Sequence, residues 1–86
     1  MRDEGVAQNA LTADAEWDAA DMGCGPLVLE LRKRLRVMPG RVLKVAARDP
    51  GAALDLPAWC RLTANDLLHH DADSRCFWIR SRTVWS

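Results

Sequence analysis

Eighty-six residues allow one domain, because self-supporting domains begin at about 55 residues and the usual size is about 100–150. Twelve Lys and Arg balance twelve Asp and Glu, for a formal charge of zero, so bulk charge does not hold the chain to nucleic acid or to an anionic membrane. A hydrophobic fraction of 49% is ordinary for a globular chain and excludes disorder throughout.

Residues 1–14 show no apolar periodicity and read as a flexible tail, which leaves 15–86 as the single domain. Glu16-Trp17-Asp18-Ala19 alternates polar and apolar residues, as a short strand does. After Met22-Gly23-Cys24-Gly25-Pro26, the residues Leu27, Val28, Leu31, Leu35 and Met38 recur at spacings of three and four, which gathers them on one helix face. Arg32, Lys33 and Arg36 fall opposite, and Glu30 stands four residues before Arg34 and can pair with it. Pro26 suits the first turn and Pro39-Gly40 ends the helix. Val42–Ala47 reads as a buried strand.

A second helix is predicted to open at Asp49-Pro50, with Asp49 as N-cap. Its inner side takes Ala52, Ala53, Leu56, Trp59, Cys60 and either Leu62 or Thr63, and Pro57 is expected to kink or split it. Leu67–His70 and Cys76–Arg80 read as strands around the turn Asp71–Ser74. The order βαβαββ predicts an α+β fold, a two-layer sandwich with two helices on one face of a four-stranded mixed sheet.

The opening residues are acids and alanines where a signal peptide needs a basic start and an apolar stretch, and the chain holds no uncharged apolar run of about 18 residues. A cytoplasmic setting with reduced thiols is therefore expected. The three cysteines include no pair at the C-x-x-C spacing of a zinc ribbon or dithiol centre, so a monomer keeps at least one free thiol.

Cys24 stands where a strand gives way to a helix. Unpaired amides and the positive end of the macrodipole stabilise a thiolate there, and glycines on both sides leave the sulfur unshielded. The competing reading is a small residue in a tight turn.

With these residues in place, the chain resembles the TusA/SirA-like sulfur-carrier family. Members share this length and fold and carry a persulfide on a cysteine at the start of the first helix. The run Trp17-Asp18-Ala19-Ala20-Asp21-Met22-Gly23-Cys24 follows the family's entry motif, with the same spacing between Asp18 and Cys24. Arg48-Asp49-Pro50 and Asp55-Leu56-Pro57-Ala58-Trp59-Cys60 follow its later Asp-Pro and Asp-Ile-Pro-aromatic-Cys elements. The similarity spans roughly Glu16 to Arg82. Cys24-Gly25-Pro26-Leu27 stands in place of the family's Cys-Pro-x-Pro, and Asp21 in place of a glycine, which suggests a divergent branch.

The resemblance implies sulfur transfer between proteins. Cys24 would take sulfane sulfur from a persulfide donor and pass it to an acceptor protein, with no metal or organic cofactor. Gly23, Gly25, Pro26 and Leu27 would form the surroundings of the sulfur, with amides of Gly25, Leu27 and Val28 facing the thiolate. Arg32, Lys33 and Arg36 would dock partners, and a monomer is expected.

Cys60, beside Trp59 on the inner side of a helix, reads as core, and Cys76 as either an exposed second thiol or a small hydrophobe. His69 and His70 must point to opposite faces of a strand, which argues against joint metal ligation. Trp17, Trp59, Trp78 and Trp85 are expected to supply the aromatic core rather than a base-stacking surface.

Other readings are a non-catalytic interaction or regulatory module on the same fold, a small nucleic-acid binder using the basic helix, and a monothiol thioredoxin-like protein, since Cys24-Gly25-Pro26 also resembles that motif. Leu27 occupies the position of its second cysteine. Zero net charge conceals a segregation: residues 1–25 hold six acids against Arg2, while residues 26–48 hold seven bases against Glu30. Cys24 lies at that change of sign.

Overall fold

The computed structural model describes residues 12–85. Strands β1 (Ala15–Asp18), β2 (Val42–Ala46), β3 (Asp66–Asp71) and β4 (Cys76–Arg80) alternate with helices α1 (Cys24–Arg36) and α2 (Ala52–Thr63) in the order βαβαββ. The sheet order is β1-β2-β4-β3, parallel between β1 and β2 and antiparallel elsewhere. This is the predicted mixed sheet of a two-layer α+β fold. Most of the predicted tail lies outside the described residues. Asp14, assigned to it, exchanges hydrogen bonds with Val42, donating its own N–H at 2.8 Å and accepting the Val42 N–H on Oδ2 at 2.8 Å.

The core follows the periodicities. Leu27, Leu31 and Leu35 of α1 are fully buried, with Val28 and Met38 at their margin. Leu56 and Cys60 of α2 join them over Leu43, Val45, Phe77 and Ile79 of the sheet. Each fully buried aliphatic side chain contributes about 1.5–3 kcal/mol by leaving water. α1 begins two residues before Pro26 and ends at Arg36, leaving Met38 beyond it. Lys33, Arg34 and Arg36 in its last turn complement the negative end of the helix dipole.

Four expectations need correction. First, α2 begins at Ala52 with Gly51 as N-cap, and Asp49 sits two residues before that cap, accepting the Gly51 N–H on Oδ2 at 3.1 Å. Second, Pro57 does not divide α2 into two pieces; Ala52–Thr63 runs as one helix. The only carbonyl that loses a helical donor to the proline is that of Ala53, in the solvent-exposed first turn. Third, Ala53 is exposed rather than on the inner side, and of the two alternatives at the end of α2 it is Thr63 that is half-buried, while Leu62 is 86% exposed. Fourth, the aromatic core is Phe77. Trp17, Trp59 and Trp85 only flank the core, and Trp78 lies in register with Lys44, on the sheet face away from the helices, with Lys44 Nζ 5.3 Å from its ring.

Ala64 ends α2 in the left-handed region at φ 63°, so that its own N–H and that of Asn65 both reach the Cys60 carbonyl. A register shift between Leu67 and His69 adds a bulge to β3. His69 pairs with Trp78 and His70 with Phe77, which sets the two histidines on opposite faces. Among the described residues, no helix is long and apolar enough to cross a membrane.

Candidate functional site

Three connections meet at the end of the sheet where β1 and β2 finish: residues 19–23 before α1, residues 47–51 before α2, and the β3–β4 hairpin. Cys24 is the first residue of α1, at the end of the first connection. Gly23 is its N-cap, extended at φ −70° and ψ 163°, with no side-chain cap to the helix. A Cβ added at Gly23 or at Gly25 would meet nothing within 4 Å, so the chain on either side of Cys24 stands clear of the rest of the fold. Gly23, Gly25 and Pro26 are exposed.

Leu27 closes the first turn of α1. Its side chain is fully buried and its N–H donates to the Gly23 carbonyl at 2.9 Å, as the first bond of the helix ladder. Val28 is likewise within the ladder. Since Pro26 has no N–H, the donors of this first turn that helix geometry leaves unused are the amides of Cys24 and Gly25. Two amides and the helix dipole therefore remain where a wider set was expected.

Arg32, Lys33 and Arg36 are exposed along α1, as their spacing predicts. Arg34 is different. It pairs with Glu30 at 3.2 Å and its guanidinium lies 4.5 Å from the centre of the Trp17 ring, so it is spent on the fold.

The turn before Cys24 is folded back on itself and tied to its neighbours. Ala20 takes φ 53°, and its N–H donates to Asp18 Oδ1 at 2.8 Å. The Met22 N–H reaches the Ala19 carbonyl at 3.1 Å, and Ala19 extends the β1–β2 pairing by donating to Ala46 at 2.8 Å. The Arg48 N–H donates to the Ala20 carbonyl at 3.1 Å, while its guanidinium lies 3.6 Å from Asp18 and 4.0 Å from Asp21. Arg75, itself at φ 58°, donates from Nη1 to the Arg48 carbonyl at 3.3 Å. Arg48 and Arg75 were not singled out from sequence. Their signal is spatial: an arginine just after β2 meets two aspartates 27 and 30 positions earlier, which no local spacing reveals.

The other two thiols are buried. Cys60 faces the core, and burial, helped by the Asp66 charge, pushes its pKa up to about 11. Cys76 heads β4, donating weakly to the Ser74 carbonyl, and borders an open hollow of about 410 Å³ with Glu16, Asp18, Lys44 and Ala46. Its 7% exposure favours the small-hydrophobe reading. A second hollow, of about 190 Å³, lies between Arg48, the start of α2, His70 and Arg75.

No protein-family model matches the chain. Individual relatives do. The chain is 37% identical over 76 residues to the sulfur carrier protein TusA of Pseudomonas syringae pv. syringae strain B728a, covering 85% of this chain and 90% of that protein. It is 36% identical over 75 residues to TusA of Pseudomonas entomophila strain L48, covering 84% and 94%. With TusA of Pseudomonas aeruginosa strain LESB58 the identity is 32% over 74 residues, covering 83% and 94%.

Proposed function

The chain belongs to the TusA sulfur carrier family, and from that premise we propose that Cys24 accepts sulfane sulfur as a persulfide and relays it to a partner protein. The observation that carries the reading is the position of Cys24 at the first residue of α1, between two glycines that leave the backbone clear. A cysteine at a helix N-terminus has its thiolate favoured by the dipole and by unused amides.

The chemistry is thiol exchange at sulfur. The Cys24 thiolate attacks the terminal sulfur of a donor persulfide, R–S–SH. The S–S bond of the donor breaks, R–S⁻ leaves, and Cys24–S–SH forms. An acceptor nucleophile then attacks the same terminal sulfur and Cys24 departs as thiolate. The sulfane sulfur keeps its oxidation level throughout, so neither oxidant nor reductant is consumed. Gly25 and Pro26 form an exposed rim beside Cys24, and Leu27 anchors the turn in the core.

Donor and acceptor are proteins on this reading, met by the exposed Arg32, Lys33 and Arg36 and hence acidic on the opposing surface. The setting is the reducing cytoplasm. A divergent branch of the family is part of this reading, supported by the run Cys24-Gly25-Pro26-Leu27, whose Gly25 leaves the entry to α1 less rigid.

Intact mass after incubation with a persulfide donor tests the proposal. A gain of one sulfur, reversed by a reducing thiol and absent from Cys24→Ala, is expected. Absence of that gain in the unaltered protein, or its persistence in Cys24→Ala, overturns the assignment.

A further inference from the structure

We propose that Arg48 is a positioning residue for the Cys24 turn, holding residues 19–23 in place and balancing the charge next to the thiol. The inference rests on the reading of Cys24 as the sulfur-bearing residue.

The need for such a residue is local. Gly23 and Gly25 give Cys24 no side-chain restraint, a Cβ at either would touch nothing within 4 Å, and α1 has no side-chain N-cap. Leu27 anchors the helix side of the turn, and what fixes its other side acts on Asp18 to Met22. Arg48 acts there with every polar group it has. Its N–H holds the Ala20 carbonyl, its guanidinium faces Asp18 and Asp21, and its carbonyl is in turn held by Arg75 of the β3–β4 hairpin. Ala20 is the residue that most needs holding, because a non-glycine residue at φ 53° is strained. It is gripped from both sides, by Asp18 Oδ1 on its N–H and by the Arg48 N–H on its carbonyl.

The same guanidinium sets the charge. Asp18 and Asp21 stand six and three residues before Cys24 in the chain, and carboxylates left unbalanced close to a thiol disfavour its thiolate. Each ion pair is exposed and loose, at 3.6 and 4.0 Å, so neither alone carries much. Together with the backbone bond they form one clasp between β2 and the turn.

Three proteins test this: the unaltered chain, Arg48→Ala and Arg48→Lys. Two readouts are taken on each. The first is the pH profile of Cys24 alkylation by iodoacetamide, resolved by mass, and the second is the exchange rate of the Met22 amide by NMR. Arg48→Ala is expected to move the alkylation midpoint to higher pH, to slow alkylation at neutral pH by about two- to fivefold, the scale of exposed ion pairs, and to speed Met22 exchange. Arg48→Lys keeps the charge without the two-armed fork and is expected between the other two proteins in both readouts. It also serves if Arg48→Ala fails to fold.

Unaltered Met22 exchange in the variants overturns the positioning role, and an unaltered alkylation profile overturns its relevance to Cys24. Sulfur uptake by the unaltered chain, measured in parallel, fails only if the sulfur-carrier reading itself is wrong, so the two failures are distinct.

Discussion

Ser81 Oγ donates to the Leu35 carbonyl at 2.7 Å, joining the last turn of α1 to the segment after β4 across 46 residues of chain. The same hydroxyl accepts the Trp85 indole N–H at 3.0 Å, and Ser81 is 2% exposed. The bond closes the end of the molecule opposite the Cys24 turn.

Ser81→Ala removes this bond without leaving either partner bare, because Leu35 keeps the Met38 N–H and Trp85 keeps the Arg82 carbonyl. The expected loss is therefore near the ordinary value of a hydrogen bond, about 1 kcal/mol, seen as a fall of about 4–8 °C in Tm. Alkylation of Cys24 should be unchanged in the folded variant, since the lesion is at the far end of α1.

Leu31 and Leu62 make opposite predictions although both are leucines at helical spacing. Leu31 is fully buried, and Leu31→Ala should cost about 2–5 kcal/mol, enough to unfold a marginal domain. Leu62 is 86% exposed and Leu62→Ser should stay within about 0.5 kcal/mol. Urea midpoints of the two variants check the inward face of α1 and the outward face of α2 as the fold defines them.

That contrast marks where the sequence was legible. Leu27, Leu31 and Leu35 repeat every four residues with charges between them, so α1 declares both its existence and its buried side. Cys76–Arg80 is bounded by turn residues on one side and declares β4 equally well. In α2 the pattern is blurred, because alanines satisfy either face and Leu54 and Leu62 are apolar yet outside. Pro57 leaves the helix undivided for a related reason: its penalty depends on which carbonyl it deprives, and Ala53 lies in a solvated first turn. The Cys24 position was legible from the glycines and the helix onset. The clasp around it was not, since Arg48, Asp18 and Arg75 come together only through strand order.

Cys60 gives a pH prediction. Its folded pKa is about 11 against an ordinary 9.0, because burial disfavours the thiolate and the Asp66 charge adds to this. A raised folded value means that the contribution is complete below the unfolded pKa. As pH climbs above about 9 the unfolded chain ionises first, and stability is lost progressively until the folded pKa is passed. The loss is at most about 3 kcal/mol. Cys60→Ala should flatten the fall in urea midpoint between pH 9 and 11. In the native protein at neutral pH, Cys60 should resist alkylation and react only on unfolding.

The basic face of α1 gives the last prediction. Arg34 is committed to Glu30 and Trp17, so the charges free to meet a partner are Arg32, Lys33 and Arg36. Part of their effect is internal, because Lys33 and Arg36 lie in the last turn and favour the helix by about 0.3–1 kcal/mol each through the dipole. Reversing all three to Glu should therefore lower Tm modestly as well as repel an acidic partner. The two effects separate by substrate. Sulfur loading of Cys24 from a small uncharged persulfide should proceed at the original rate in the folded variant, whereas transfer to or from a protein partner should slow. The slowing should shrink as salt is raised, since screening over about 8–10 Å weakens attraction in the original protein as well as repulsion in the variant. Equal protein-to-protein transfer rates for the two chains at low salt would mean that this face is a solvated helix surface with no part in docking.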